Sequence, residues 1–470
     1  MRRVLILGGG FGGVATAHAL RRRLPPEDEI VVVERRPYFM LGLRKTWALI
    51  GRGTLEEGRR PLQALERFGI RVLPGTITAI DPANRAVEVN GRRWEGDAMV
   101  VALGAELAPE AIPGFREHAL NVYDPQEIPR AMEAVRAFRG GQVMIGIFGA
   151  PYKCPPAPYE MAFLLQDFFE ARGVRARISV FTPQPMSLPV LGAELAPEAI
   201  PGFREHALNV YDPQEIPRAM EAVRAFRGGQ VVIGIFGAPY KCPPAPYEMA
   251  FLLQDFFEAR GVRARISVFT PQPMSLPVLG AAGCSVLEGR LAERGIDFLP
   301  NHKATAVEAG AVIFGERRRP FDLLLGVPPH RCPEVVVRSG LTDGGAWVRV
   351  HPRTLETRFA GVYAIGDITE ILLPNGMPLP KAGVFAEAEG EVVAERIAAV
   401  FAGREPEASF SGEGFCYLEL GRGEAMLVRG RFLVEPAPEI ELTEPSPNYL
   451  EEKKRFEAER LRTWFGDAAA

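Results

Sequence analysis

Two cysteines, Cys154 and Cys242, stand in the same setting, Lys-Cys-Pro-Pro-Ala-Pro-Tyr-Glu. Each follows an apolar run ending Gly-Ile-Phe-Gly-Ala-Pro and precedes the helical pattern Met-Ala-Phe-Leu-Leu-Gln-Asp-Phe-Phe. Strand, tight turn and helix is the outline of a nucleotide-binding βα unit, in which glycine amides in the turn wrap a phosphate. Prolines have no N–H and fix φ, so this turn cannot wrap a pyrophosphate. It can hold a thiol rigidly ahead of a helix, with Pro158 or Pro246 near the first turn. The positive helix end and the neighbouring Lys153 or Lys241 both favour thiolate, the reactive form of the sulfur.

A second constellation lies at the N-terminus. In "VLILGGGFGGVATAHAL", Gly8, Gly10 and Gly13 have G-x-G-x-x-G spacing between a short apolar strand and a helix whose alanines permit close packing. The next strand, "EIVVVERR", ends in Glu34, 21 residues beyond Gly13, where a carboxylate would hold the ribose of an adenine dinucleotide. A plain glycine-rich β-turn would leave Glu34 unexplained. Two later stretches favour FAD over NAD as the dinucleotide. "DAMVVALGAEL" is an apolar strand running into a small-residue turn at Ala102 and Gly104, and "LETRFAGVYAIGDITE" is a strand ending in Gly366-Asp367. Asp367 is placed to accept hydrogen bonds from the ribityl chain.

The chain duplicates itself. Residues 103–190 recur as 191–278, and the single difference is Met144 against Val232. Near-identity and a long period exclude a solenoid. Leu-Gly-Ala marks both joints, as slippage or recombination would leave it, and the working protein reads as 470 less 88 residues. The alternative is a duplicated regulatory module. The expected organisation is a first part of an FAD domain (1–102), repeat copy one (103–190), repeat copy two (191–278), the rest of a second nucleotide-like domain (279–339), a second part of the FAD domain (340–410) and a C-terminal segment (411–470). The fold class is α/β, with two Rossmann-like domains, the first interrupted by the second.

"PYKCPPAPYE", the N-terminal fingerprint, "VYAIGD" and "LPKAGVFAEAEGEVVA" together resemble the sulfide:quinone oxidoreductase and flavocytochrome c sulfide dehydrogenase family, and the resemblance covers nearly the whole chain once one copy is removed. It implies an FAD-dependent oxidoreductase that oxidises sulfide through a cysteine pair beside the flavin, with quinone or a cytochrome as acceptor. Cys154 and Cys242 match the first redox cysteine. The second, in the sulfide dehydrogenase branch, follows a Gly-Trp, whereas here Ala346-Trp347 is followed by Val348. The cysteine that binds FAD covalently in that branch is missing from "RRPYFMLGLRK", which implies non-covalent FAD. Cys332 in "GVPPHRCPE" is the candidate replacement partner; its alternative is a thiol with no role. Lys381 would lie by the flavin pyrimidine, where a cation stabilises reduced anionic flavin; its alternative is a solvated lysine at a helix start. Two rival readings are a type-II NADH:quinone oxidoreductase and a non-catalytic FAD-bound redox sensor.

The remaining features exclude more than they assign. A net charge of −3 gives no reason to expect nucleic acid. The six histidines have no metal-ligand spacing, and His330 is a lone candidate base. Cys284 and Cys416 read as small buried hydrophobes. No signal pattern opens the chain and no apolar run spans a bilayer, so a cytoplasmic location is the default. The helix "NYLEEKKRFEAERLRTWFG" is the segment with which relatives touch the membrane, giving peripheral contact at its inner face, or else it packs on the protein surface. Homo-oligomers are expected because one repeat copy carries apolar surface to cover.

Overall fold

The computed structural model describes residues 1–49, 53–107, 115–122 and 128–147, short stretches between 164 and 293, and, with brief gaps, 297–466. Five parallel strands form the first sheet, in the spatial order Val362–Ala364, Ala98–Val101, Arg3–Leu7, Glu29–Glu34, Arg71–Pro74. Val4 to Leu7 and Ile30 to Val33 are all inaccessible to solvent. Such unbroken apolar runs are what a sheet covered on both faces requires. One face carries the helices Phe11–Arg23 and Gly383–Phe401. The other carries an antiparallel meander, Ile77–Asp81, Ala86–Val89 and Arg92–Glu95, with the short helix Glu334–Arg338.

The two helices on the first face meet almost backbone to backbone. A methyl group on Gly390 would lie 2.5 Å from the Thr16 hydroxyl, and one on Gly12 would lie 3.2 Å from Cβ of Ala386. Strands and helices from 1–102 and from 340–410 therefore share one sheet and one helix layer.

The C-terminal segment is an antiparallel three-stranded sheet (Glu413–Gly421, Glu424–Arg431, Glu439–Leu442) followed by the helix Pro447–Phe465. Ser446 caps that helix by accepting from the Asn448 N–H, with Pro447 in the first turn. Its apolar residues Leu450, Leu461, Trp464 and Phe465 are buried. Trp464 packs edge-on against Phe11, with ring centroids 4.9 Å apart, and Phe465 stacks on Phe39 at 5.2 Å. A buried polar cluster fastens the same helix to the N-terminal part: Trp47 donates to Glu419 at 2.8 Å, Lys453 pairs with Glu419 at 3.1 Å, and Arg44 donates to Glu457 at 2.9 Å. Among the described residues no helix is long and apolar enough to cross a membrane.

The second sheet shows what the duplication means physically. Gly141–Ile147 of copy one lies parallel to Leu323–Val327, with Val143, Gly146 and Ile147 opposite Leu323, Gly326 and Val327. Gly229–Ile235 of copy two pairs with the same strand, with Val231, Gly234 and Ile235 opposite those same three residues. Ala176–Phe181 and Ala264–Phe269 repeat the coincidence on Asp297–Leu299: Ser179 and Ser267 both face Asp297, and Phe181 and Phe269 both face Leu299. A strand has two edges, and Ala119–Leu120 takes the other edge of Leu323–Val327. The two copies thus address one slot in one register. Removing residues 103–190 should leave the slot filled by copy two and the domain complete. The shortened chain is expected to take up FAD and to melt at or above the temperature of the parent, with less self-association in size-exclusion chromatography. Loss of FAD from the shortened chain, with the parent retaining it, would show that both copies are needed.

Candidate active site

The glycine turn at the head of the first sheet is built by steric exclusion. Gly8 has φ +111°, and a Cβ there would sit 2.4 Å from the Ala102 carbonyl oxygen. A Cβ on Gly13 would lie 1.9 Å from the Gly8 carbonyl oxygen. Both positions bring strand, helix and the Ala102 turn together. Gly10 differs: no atom lies within 4 Å of where its Cβ would point. It is the N-cap of the helix Phe11–Arg23, which has no side-chain cap and no acid in its first turn. The helix N-terminus thus opens on a space without side chains, as a pyrophosphate requires.

Glu34 closes one end of this space. It is 9% exposed, and its carboxylate accepts from the Gly9 N–H at 3.0 Å and from the Arg36 guanidinium at 3.0 Å. Burial opposes its ionisation, but Arg36 and the Gly9 amide prevail and hold its pKa at about 2. The backbone continues the arrangement: Ala102 N–H donates to Leu7 O at 2.8 Å, and Gly104 has φ +66°.

The Gly366–Asp367 turn is the other wall. Gly366 has φ +68°, and its N–H donates to Glu389 Oε2 at 2.5 Å. Lys381 Nζ donates to the carbonyl oxygens of Asp367 and Thr369, each at 2.6 Å, and lies 3.8 Å from the centre of the Trp347 ring. A buried ammonium held by carbonyls and an aromatic face retains its charge at neutral pH. Desolvation lowers its pKa to about 8, opposed by Asp367, Cys332, Glu370 and Glu389. Lys381 is therefore a built-in buried group, not a solvated helix-start lysine.

Cys332 joins this cluster. It is 4% exposed and packs with Leu5, Leu7, Val101 and Ala364 on the FAD-domain sheet. Burial pushes its thiol up to about 12, against the pull of Lys381, so it is a neutral thiol at physiological pH. The structure thus brings Cys332, Lys381, Gly366 and Asp367 together at one wall, and Gly8, Gly10, Gly13, Glu34, Ala102 and Gly104 at the other. Cys154 and Cys242 lie outside the described residues. Cys284 is buried, Cys416 is half-buried on Glu413–Gly421, and His330 is buried in a short strand opposite Leu107. Among the described residues no cluster could hold a metal ion.

Two residues escaped sequence reasoning. Trp347 served there as a landmark, yet its ring is the floor under Lys381, and Val348 pairs with Thr369 beside the turn. Glu389 was hidden among the acids of "AEAEGEVVAE", although its helical spacing to Ala386, Gly390 and Val393 puts it on the buried stripe.

Comparison with known proteins agrees with this geometry. A family model described as pyridine nucleotide-disulphide oxidoreductase matches residues 2–138. One described as sulfide dehydrogenase [flavocytochrome c] flavoprotein chain, central, matches 128–188 and again 216–276, the same stretch of each copy. Over these stretches the chain is similar to the sulfide:quinone oxidoreductase and flavocytochrome c sulfide dehydrogenase family. It is an FAD-dependent oxidoreductase. Among relatives of this family, the mitochondrial sulfide:quinone oxidoreductase of Mus musculus is 19% identical over 442 residues, covering 92% of this chain and 79% of that one. The sulfide-quinone reductase of Aquifex aeolicus is 30% identical over 182 residues, 38% of this chain and 41% of that one. The crystal structure of the sulfide:quinone oxidoreductase from Aquifex aeolicus superposes with a TM-score of 0.70 at 19% identity, covering 100% of this chain and 93% of the other.

The open space at Gly10, the uncapped helix start and the carboxylate at Glu34 fit the dinucleotide moiety of FAD. Gly10→Leu should fold like the parent, because its side chain enters empty space, yet carry almost no flavin. Gly13→Ala should unfold the turn and with it the sheet. Flavin content and the melting curve of each variant separate the two effects. A Gly10→Leu protein that retains FAD would refute the assignment.

Proposed function

We propose that this chain oxidises sulfide, or a related small sulfur species, and that quinone takes the electrons, with a cytochrome as the alternative acceptor. The observation that carries the reading is the match of the sulfide dehydrogenase central model to both copies of the repeat, in the segment where Cys-Pro-Pro replaces a glycine loop. The named relatives from Mus musculus and Aquifex aeolicus support a sulfide donor and a quinone acceptor.

Gly8, Gly10, Gly13, Glu34, Ala102, Gly104, Gly366 and Asp367 would hold FAD without a covalent bond. Bound FAD supplies a two-electron acceptor between the sulfur and the quinone. The chain's own residues supply the sulfur chemistry. A thiolate at Cys154 or Cys242 bonds to the sulfur of HS⁻; two electrons and one proton leave, and a cysteine persulfide remains. The lysine that precedes that cysteine in the sequence favours the thiolate. Cys332, buried and protonated, serves as the second sulfur only once its proton has been taken. The ammonium of Lys381, fixed by two carbonyls and Trp347, also favours negative charge arriving at this wall.

Anaerobic rapid mixing tests the donor. Sulfide is expected to bleach the oxidised-flavin band much faster than NADH or NADPH does, because the proline-filled turns lack the amides a nicotinamide nucleotide needs. Faster bleaching by NADH would overturn the proposal in favour of a type-II NADH:quinone oxidoreductase. Flavin released from the protein by acid precipitation would bear out the absence of a covalent link.

A further inference from the structure

Glu389 is a buried acid to which the sulfur chemistry assigns no part. It is 1% exposed, near the middle of the helix Gly383–Phe401, on the stripe that packs against the N-terminal helix. An acid in that position is costly unless it has a partner, and its partner is the backbone of the flavin turn, through the Gly366 N–H at 2.5 Å. The turn is pressed close to the helix, since a Cβ on Gly366 would lie 3.0 Å from Cβ of Ala386. Lys381 grips two carbonyls of the same turn, those of Asp367 and Thr369. A buried acid and a buried cation thus hold one five-residue turn, from Ile365 to Thr369, between them.

We propose that Glu389 is a positioning residue for FAD: it fixes the Gly366–Asp367 turn in the shape that presents Asp367 to the flavin, with Lys381 as its counterweight. The proposal rests on the reading of Asp367 as a flavin ligand, and it adds a second role, sensitivity to pH. Burial pushes the Glu389 carboxyl up to about 8, with Asp367 acting in the same direction and the Gly366 N–H and Lys381 acting against it. Below that pH Glu389 is a neutral acid whose carbonyl oxygen accepts from Gly366. Above it, a carboxylate stands beside Asp367 and faces an anionic cofactor, and Lys381, influenced also by Cys332 and Glu370, loses its proton in the same range. Both changes make the site more negative, so FAD binding should weaken as pH rises through about 8.

The test is fluorescence titration of flavin-depleted full-length protein with FAD at several pH values, comparing the parent with Glu389→Ala, Glu389→Gln and Asp367→Ala. Glu389→Ala deprives the buried Gly366 N–H of its acceptor and should weaken FAD binding at pH 7 on the order of tenfold. Glu389→Gln retains an acceptor oxygen without a titratable proton; it should bind within about threefold of the parent at pH 7 and lose less affinity at pH 9. If Glu389→Ala binds FAD like the parent, or if Glu389→Gln is as weak as Glu389→Ala, the positioning role is wrong. A Glu389→Gln protein with the same pH dependence as the parent also overturns the proposal. Should Asp367→Ala bind FAD normally, the error lies in the flavin-ligand reading; if only the Glu389 variants do so, the error lies with Glu389.

Discussion

The contact on which this molecule depends is the close crossing of the helices Phe11–Arg23 and Gly383–Phe401. Gly12 and Gly390 let them approach until the Thr16 hydroxyl occupies the space a side chain at Gly390 would need. That approach sets the position of Val362–Ala364, whose following residue Ile365 donates to Val101 O and so closes the sheet. The Gly366–Asp367 turn, Glu389 and Lys381 all hang from this closure. A side chain at either glycine would push the second sequence half away from the first, and the site would open along the seam between them.

Most candidate residues could be named from the sequence, but Trp347, Glu389 and the way the wall around Lys381 is assembled could not, for one physical reason. Gly8, Gly10, Gly13 and Glu34 could be read because a phosphate turn and its acid are local, and their spacing is set by one strand, one helix and the next strand. The wall around Lys381 depends on contacts between segments far apart in the chain, namely Trp347, Asp367, Cys332 and Glu389, and no spacing rule joins them. Glu389 left a faint trace, an acid in register with small apolar residues on a helix. The fold class followed from alternating strand and helix patterns, and the repeat from simple self-comparison. That both copies take the same register on Leu323–Val327 and Asp297–Leu299 became visible only in the strand pairing.

Two kinds of thiol are present. Cys154 and Cys242 each follow a lysine in the sequence, a neighbour that favours a thiolate. Cys332 is set by structure among the aliphatic side chains of the sheet, where the proton stays on. A redox pair made of such partners is asymmetric from the outset: one sulfur is ready to attack, and the other must be deprotonated first.

The C-terminal helix has a consequence for how the protein is made. Trp464 and Phe465 complete the aromatic cluster around Phe11 and Phe39, and the Trp464 carbonyl faces His18 at 2.9 Å. The first domain therefore borrows part of its core from a helix more than 400 residues further along the chain. Its opening strands wait through both repeat copies, with Arg3–Leu7 and Ala98–Val101 formed but Val362–Ala364 not yet synthesised, so the nascent sheet offers an open apolar edge for most of translation. During that wait the duplicated strands are the next β-forming segments to be made.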